Sequence, residues 1–474
     1  MILRLACTCV WAAMLTASAG LDFGPLLNVS ERPDPNPSAW QALGPLFEAD
    51  PVWNDDGSLS ALPRPLWCRY QYRDKPVTGV DVLWPLAVGR TWDEELYARV
   101  LLGVHTDADR TDPAAACRWW LLPVLFLGRD AEARNYAALF PAGGRIADIV
   151  GFDSVAFAAF PLYLSTRRGD VVSVAFLWPV FSRTRGPQVR KWRVFPLYGE
   201  AKTAAETRRF VMWPIGNTVV QKPTRPGGRH GRGVFIMPLF GWYRQRDEGA
   251  DRTTYRSWTV LWPLFSGAHG AGPEHLHCPW PFVQFRTEQR RGGELRKRWL
   301  WPLYGTTVKP NAKQQFLLWP FCRHWQEGTP GNDREMLWLL PFYWSGSQQV
   351  EGETVSTYRR LWPLLRWESD PERTRIRALA LWPQRHAPPI ERNFTPFWTL
   401  YTYDRQGDTR EQSLLWGLWR SGRGPDRART LSLFPLFRYQ RDSDSVEWRF
   451  LTGLFGWNQD ERQTRHRLFW GLTW

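Results

Sequence analysis

The sequence predicts an all-β protein made of tandem strand-turn repeats that run as a mainly antiparallel meander. Three observations predict it. One short phrase recurs roughly every eighteen to twenty-five residues, a period typical of repeat architectures. It consists of an apolar residue, Trp or Phe, Pro, another apolar residue, then Phe or Tyr, as in Leu261-Trp262-Pro263-Leu264-Phe265 and Leu433-Phe434-Pro435-Leu436-Phe437. The 38 Gly and 38 Pro among 474 residues argue for short elements separated by turns. A Pro in every unit would also break a helix near its middle.

The chain opens with Met1-Ile2-Leu3-Arg4, an apolar stretch from Leu5 to Leu15, and Thr16-Ala17-Ser18-Ala19. A basic residue, a short apolar region and an Ala-x-Ala ending are the parts of a secretory signal peptide, so residues 1–19 are expected to be a leader. The remainder, 20–474, is expected to form a single β-repeat domain. Degenerate copies occupy 20–110, marked by Pro45, Pro65, Pro85 and Gly103. Clear copies occupy 111–474, marked by Pro123, Pro141, Pro161, Pro179, Pro196, Pro214, Pro238, Pro263, Pro281, Pro302, Pro320, Pro341, Pro363, Pro383 and Pro435. Pro396 falls at a short spacing. Near the end Gly replaces Pro, at Gly417, Gly453 and Gly471.

Polar segments such as Thr329-Pro330-Gly331-Asn332-Asp333 and Arg405-Gln406-Gly407-Asp408 separate the copies and carry turn chemistry. Each unit therefore reads as one strand of about ten to fourteen residues plus a turn. In Arg298–Tyr304, alternation puts Trp299, Trp301 and Leu303 on one face and Leu300, Pro302 and Tyr304 on the other. Trp92 to Val104 and Glu132 to Leu139 read as mildly helical.

The last residues are Arg467-Leu468-Phe469-Trp470-Gly471-Leu472-Thr473-Trp474. Read as one strand, they align Leu468, Trp470, Leu472 and Trp474 on one face. This segment resembles the C-terminal strand of bacterial outer-membrane β-barrels, whose alternating apolar residues ending in an aromatic form a sorting signal. The resemblance implies a large closed β-barrel, an outer-membrane location and delivery by barrel-assembly machinery. The repeats also resemble those of uncharacterised exported bacterial proteins with tandem Trp-Pro-Leu-Phe phrases, a likeness that brings no activity with it. Trp178, Trp213, Trp262, Trp301, Trp319, Trp362 and Trp382 are expected to fill the repeat core or form a membrane girdle.

The proline opposes the barrel. It cannot donate to a ladder, and an unmatched carbonyl in lipid costs on the order of several kcal/mol. The alternative fold is a β-solenoid-like repeat array, as a soluble periplasmic or surface scaffold for carbohydrate or protein partners.

The formal charge is +15, but the basic residues are spread between apolar segments, without the concentrated patch a nucleic-acid binder needs. No Gly-x-Ser-x-Gly elbow, phosphate loop or His-Glu-x-x-His is present, so no catalytic residue and no cofactor is expected. Glu274-His275-Leu276-His277-Cys278 with Cys322-Arg323-His324 holds zinc-compatible types at a spacing matching no standard site, and Asn54-Asp55-Asp56-Gly57 lacks the later acid of a calcium loop. No metal is expected. A Cys278–Cys322 bridge and unpaired packing both remain open. The sequence thus points to a non-enzymatic outer-membrane protein, structural or pore-forming, in which luminal Arg would favour anionic solutes.

Overall fold

The computed structural model describes residues 22–30, 38–53, 57–73, 75–223, 225, 228–247, 253–290, 292–385, 387–425, 428–460, 463–468 and 472–473. The expected leader lies outside them. The chain is all-β and clusters into two compact units, Met1–Leu101 with Pro341–Trp474, and Leu102–Leu340. Within each, strands adjacent in sequence pair antiparallel, as Thr253–Val260 does with Phe240–Asp247 and with Phe265–Gly270.

The phrase that marks the repeat is a turn and not the middle of a strand. Thr253–Val260 ends at Leu261, the chain reverses through Trp262-Pro263-Leu264, and Phe265 returns opposite Val260. The Leu264 N–H donates to the Leu261 carbonyl at 2.9 Å, which closes a four-residue turn with proline third, as in a type VI turn. Proline has no N–H to give, so a hairpin end that needs no ladder donor accommodates it. Each unit accordingly contributes two strands of roughly five to nine residues, not one of ten to fourteen. The alternation read through Arg298–Tyr304 also breaks. Gly293–Leu300 ends before Trp301, and Leu300 sits opposite Tyr304 across the hairpin.

Successive turns are stitched together. Trp178 donates its backbone N–H to the Pro161 carbonyl at 2.8 Å, and Trp262 and Trp319 donate to Pro238 and Pro302 at 2.7 Å. These proline carbonyls are satisfied by the next repeat, which removes the cost that counted against proline in a sheet. Where Gly replaces Pro, the chain turns differently: Leu415, Trp416 and Gly417 all have positive φ, at 49°, 54° and 99°. Glycine tolerates its share of that geometry without penalty.

Between the two rows of turns, aromatic rings cross the sheet onto glycines directly opposite. Phe210 faces Gly199, Phe316 faces Gly305, Tyr70 faces Gly79 and Trp258 faces Gly267. A Cβ on Gly199, Gly305 or Gly79 would strike the facing ring. Such aromatic–glycine pairs provide packing within a single layer. A fuller core forms in the second unit around Phe126, Tyr136, Ile146 and Phe157, where Trp120 Nε1 donates to Tyr136 OH at 3.1 Å.

The expected barrel closure does not occur among the described residues. No pairing joins Asp22–Phe23 to Leu472–Thr473. The two arms of the first unit meet through side chains instead of a shared ladder. Gly24 packs on Phe434, Gly44 on Trp416, and Arg392 reaches Asp81. The open antiparallel repeat array is the form found.

Other sequence expectations also change. Trp92–Val104 spans a hairpin, with Glu95 opposite Trp92 across Asp93-Glu94, and Asn135–Leu139 is a strand; neither segment is helical. Residues around Pro383 and Pro396 form an insertion between the strands Arg373–Ala378 and Tyr401–Gln406 in place of repeat turns. It holds the helices Pro388–Asn393 and Thr395–Trp398, each with proline in its first turn, where a missing N–H costs nothing. Leu468 and Leu472 do not belong to one strand, because they pair antiparallel with each other. Trp470 and Trp474 lie outside the described residues.

Candidate functional site

All the apolar proline turns of the Pro161 to Pro263 repeats fall at one end of their hairpins, and the polar turns at the other. On the Pro214 turn, Val211, Met212, Trp213 and Ile215 are 55%, 50%, 51% and 49% exposed. Neighbouring turns repeat the pattern with Leu197, Leu239, Leu261 and Leu264. Moving along the strand from Val211, Phe210 is half-buried, and Arg209 and Arg208 follow, both exposed and on opposite faces of the strand. On this strand the apolar band is therefore two or three residues high, about 10 Å at ~3.3 Å per residue.

Six of the seven tryptophans singled out by sequence lie on proline turns, and Trp382 lies in the insertion between Arg373–Ala378 and Tyr401–Gln406. Trp178, Trp213, Trp262, Trp319 and Trp382 are exposed, whereas Trp301 and Trp362 are half-buried. None belongs to the sealed core. Rings that precede proline contact one another along the row: Phe160 and Trp178 at 5.9 Å, Phe195 and Trp213 at 5.3 Å, Trp301 and Trp319 at 5.8 Å. The opposite row is built from residues such as Arg168-Gly169-Asp170 and Lys309-Pro310-Asn311. There Asp153 Oδ2 accepts the Gly169 N–H at 2.6 Å.

The sequence matches no known family model and no curated protein. The geometry therefore carries the functional reading alone.

A second notable site lies in the first unit, where four of the largest fully buried side chains are polar: Arg64, Asp81, Arg392 and Asn393. Asp81 Oδ2 accepts Arg392 Nη2 at 3.0 Å and Asn393 Nδ2 at 2.9 Å. Arg392 Nη1 donates to Tyr72 OH at 3.2 Å, and the guanidinium lies 3.5 Å above the Tyr70 ring. Burial pushes the neighbouring Cys68 thiol up to about 11, even though Arg64 and Arg392 pull it down. A thiol in that state is a poor nucleophile, and its role here is packing.

The insertion is also gripped from the strands. Arg366 pairs with Glu391 at 2.6 Å and Glu368 at 2.7 Å, and Arg360 Nη2 donates to the Ala380 carbonyl at 2.7 Å. Burial opposes the charge on Arg366, but the two carboxylates hold its pKa above the usual guanidinium value. Burial, reinforced by Arg375 and Arg366, pushes Arg377 down to about 10. Sequence reasoning missed this cluster. The available signal was the short interval from Pro383 to Pro396, which interrupts the repeat period.

Among the described residues, no group of three His, Cys, Asp or Glu side chains is placed to hold a metal ion. The His275 and His277 rings lie 5.0 Å apart, but His277 Nδ1 contacts Ser266 Oγ at 3.0 Å. Glu274 pairs with His269, and His324 with Glu335. Cys278 and Cys322 are free, as are Cys68 and Cys117. The strand Glu274–His277 and the strand that begins at Cys322 are separated by four others, so a bridge between them would have to cross the sheet. Residues 54–56, the acidic cluster before Gly57, lie outside the described residues.

Proposed function

We propose that this is a non-enzymatic, exported envelope protein that lies on a lipid surface and beds its row of proline turns into one leaflet. One observation carries the reading: a row of proline turns whose Leu, Met, Ile and Trp side chains are about half exposed, forming an apolar edge about 10 Å high where measured along Glu206–Val211. Contiguous exposed apolar surface of this kind marks an interaction face, and interfacial elements sit roughly 5–10 Å deep in a bilayer. Tryptophans in such a row suit headgroup depth, where amphipathic rings are favoured.

Strand length supports lying on the membrane over crossing it. A tilted strand needs about nine to eleven residues to span the hydrocarbon layer. Here Phe181–Gly186 and Glu206–Val211 have six each, with Arg183, Arg185, Arg208 and Arg209 among them. The outer membrane as destination and the leader at 1–19 belong to this proposal.

Flotation with phosphatidylcholine vesicles tests it. The protein should float with the vesicles, and a Leu239→Asp/Leu264→Asp variant should lose at least tenfold in partitioning. Wild-type protein that stays in the aqueous fraction would favour a soluble scaffold.

A further inference from the structure

The second unit contains a groove of about 1020 Å³ that runs across its strands from Phe160 to Met237. Its lower end is the turn row itself: Trp178, Phe195 and Trp213 belong to both. Its upper part is cationic. Between Asp170 and Glu200 the chain carries Arg183, Arg185, Arg190, Lys191 and Arg193 with no acidic residue. The charged residues lining the groove are Lys191, Arg193, Arg208 and Arg209 against Glu200 alone.

These four cations differ in their partners. Arg209 Nε pairs with Glu200 at 2.7 Å, and Arg208 Nε with Glu206 at 2.8 Å. Lys191 and Arg193 have no ion-pair partner among the described residues, and the Arg193 Nε is buried without a hydrogen-bond acceptor. A buried, unmatched donor on a cation is costly unless something satisfies it.

The register puts hydroxyls beside both. Thr184 lies opposite Lys191 and Ser182 opposite Arg193, all four on the groove side of the hairpin Phe181–Val194. On the next strand, Gly199 lies opposite Arg193, and its missing Cβ leaves room for the Phe210 ring beside the Arg193 stem. Two free cations, two hydroxyls and an aromatic floor together match an anionic head joined to an apolar body.

We propose that this groove seats the phosphate headgroup of an anionic lipid. The phosphate sits between Lys191, Arg193, Ser182 and Thr184, and the glycerol and chain starts rest on Phe210 and Trp213. The inference rests on the lipid-surface reading above and adds the headgroup chemistry to it. It follows from continuity: Arg193 lies one residue and Lys191 three residues above Val194, at the edge of the apolar band, where phosphates of a bilayer lie when the turns are embedded.

Calorimetric titration with soluble dihexanoyl phosphatidic acid, dihexanoyl phosphatidylcholine and inorganic phosphate tests it on the whole chain. Phosphatidic acid should bind best, with phosphatidylcholine and inorganic phosphate each at least tenfold weaker. Lys191→Ala/Arg193→Ala should lose tenfold or more for phosphatidic acid, and Lys191→Arg should keep the affinity, which separates charge from folding. Unchanged affinity in the double variant, or equal binding of phosphatidylcholine, would overturn the inference. Equal binding of inorganic phosphate would make this an anion site with no lipid preference, and the inference would fail too. Flotation on neutral vesicles by the Lys191→Ala/Arg193→Ala variant separates the two readings. If the variant and wild type float equally but phosphatidic acid shows no preference, only the headgroup assignment falls.

Discussion

The backbone N–H of Trp213 donates to the carbonyl of Pro196 at 2.7 Å, so the aromatic that precedes one proline is tied to the previous proline. The same link joins Trp178 to Pro161 and Trp319 to Pro302. It turns a series of separate hairpin ends into a row with its own backbone ladder. The row can therefore present exposed Leu, Met and Trp side chains in one line, without leaving carbonyls unmatched where water is scarce.

The Asp81–Arg392 clasp should govern opening of the first unit. Arg392→Ala leaves a buried carboxylate with only Asn393 as partner, a loss of about 3–5 kcal/mol. Cys68 reports it, because the thiol is fully buried beside Tyr70 and held largely protonated. Its labelling by a thiol reagent should speed up by roughly a hundredfold to a few thousandfold. The double change Asp81→Leu/Arg392→Met should cost much less than Arg392→Ala, since no buried charge is stranded. Equal losses would mean that the ion pair is incidental.

The aromatic–glycine pairs can be tested at Gly305. A Cβ there would collide with the Phe316 ring, so Gly305→Ala should destabilise the second unit by about 1–3 kcal/mol. Gly292 has open space around its Cβ position, and Gly292→Ala should be close to neutral. Thermal melts of the two variants check this. Similar midpoints would show that the rings do not depend on the missing side chains.

These pairs and the clasp explain what was legible in the sequence. The period of the Trp-Pro phrase and its turn chemistry foretold tandem antiparallel β units. The number of strands per unit was hidden, because Val260-Leu261-Trp262-Pro263-Leu264-Phe265 is apolar throughout and reads as strand interior. The Leu264 to Leu261 hydrogen bond and the pairing of Phe265 with Val260 reveal the reversal. Arg392 and Asp81 are 311 residues apart, and no local pattern links them. Lys191 and Arg193 looked like two among many basic residues until the register set Thr184 and Ser182 beside them.

Asp130 should give the second unit part of its pH dependence. Burial alone would raise its pKa, but the Arg134 backbone N–H at 2.9 Å, Arg134 Nε at 3.0 Å and Arg145 Nη2 at 2.9 Å outweigh it and lower the value. With the folded pKa depressed, the contribution is present above the unfolded value of about 3.9 and is lost as pH falls through the folded one. Asp130→Asn should therefore cost about 1–2 kcal/mol at neutral pH. The difference in melting point from wild type should shrink below about pH 4. A gap that stays constant down to pH 2 would assign the loss to packing.

The most direct test of the proposal that the turn row faces lipid is depth measured by spin labels on membrane-bound protein. One label is placed at Leu264→Cys on the proline row and one at Gln188→Cys on the polar row, with the other cysteines except buried Cys68 replaced by serine. The account predicts that the Leu264 label is accessible to dissolved oxygen and shielded from a water-soluble nickel complex, while the Gln188 label shows the reverse. Equal exposure of both labels to the nickel complex would contradict it.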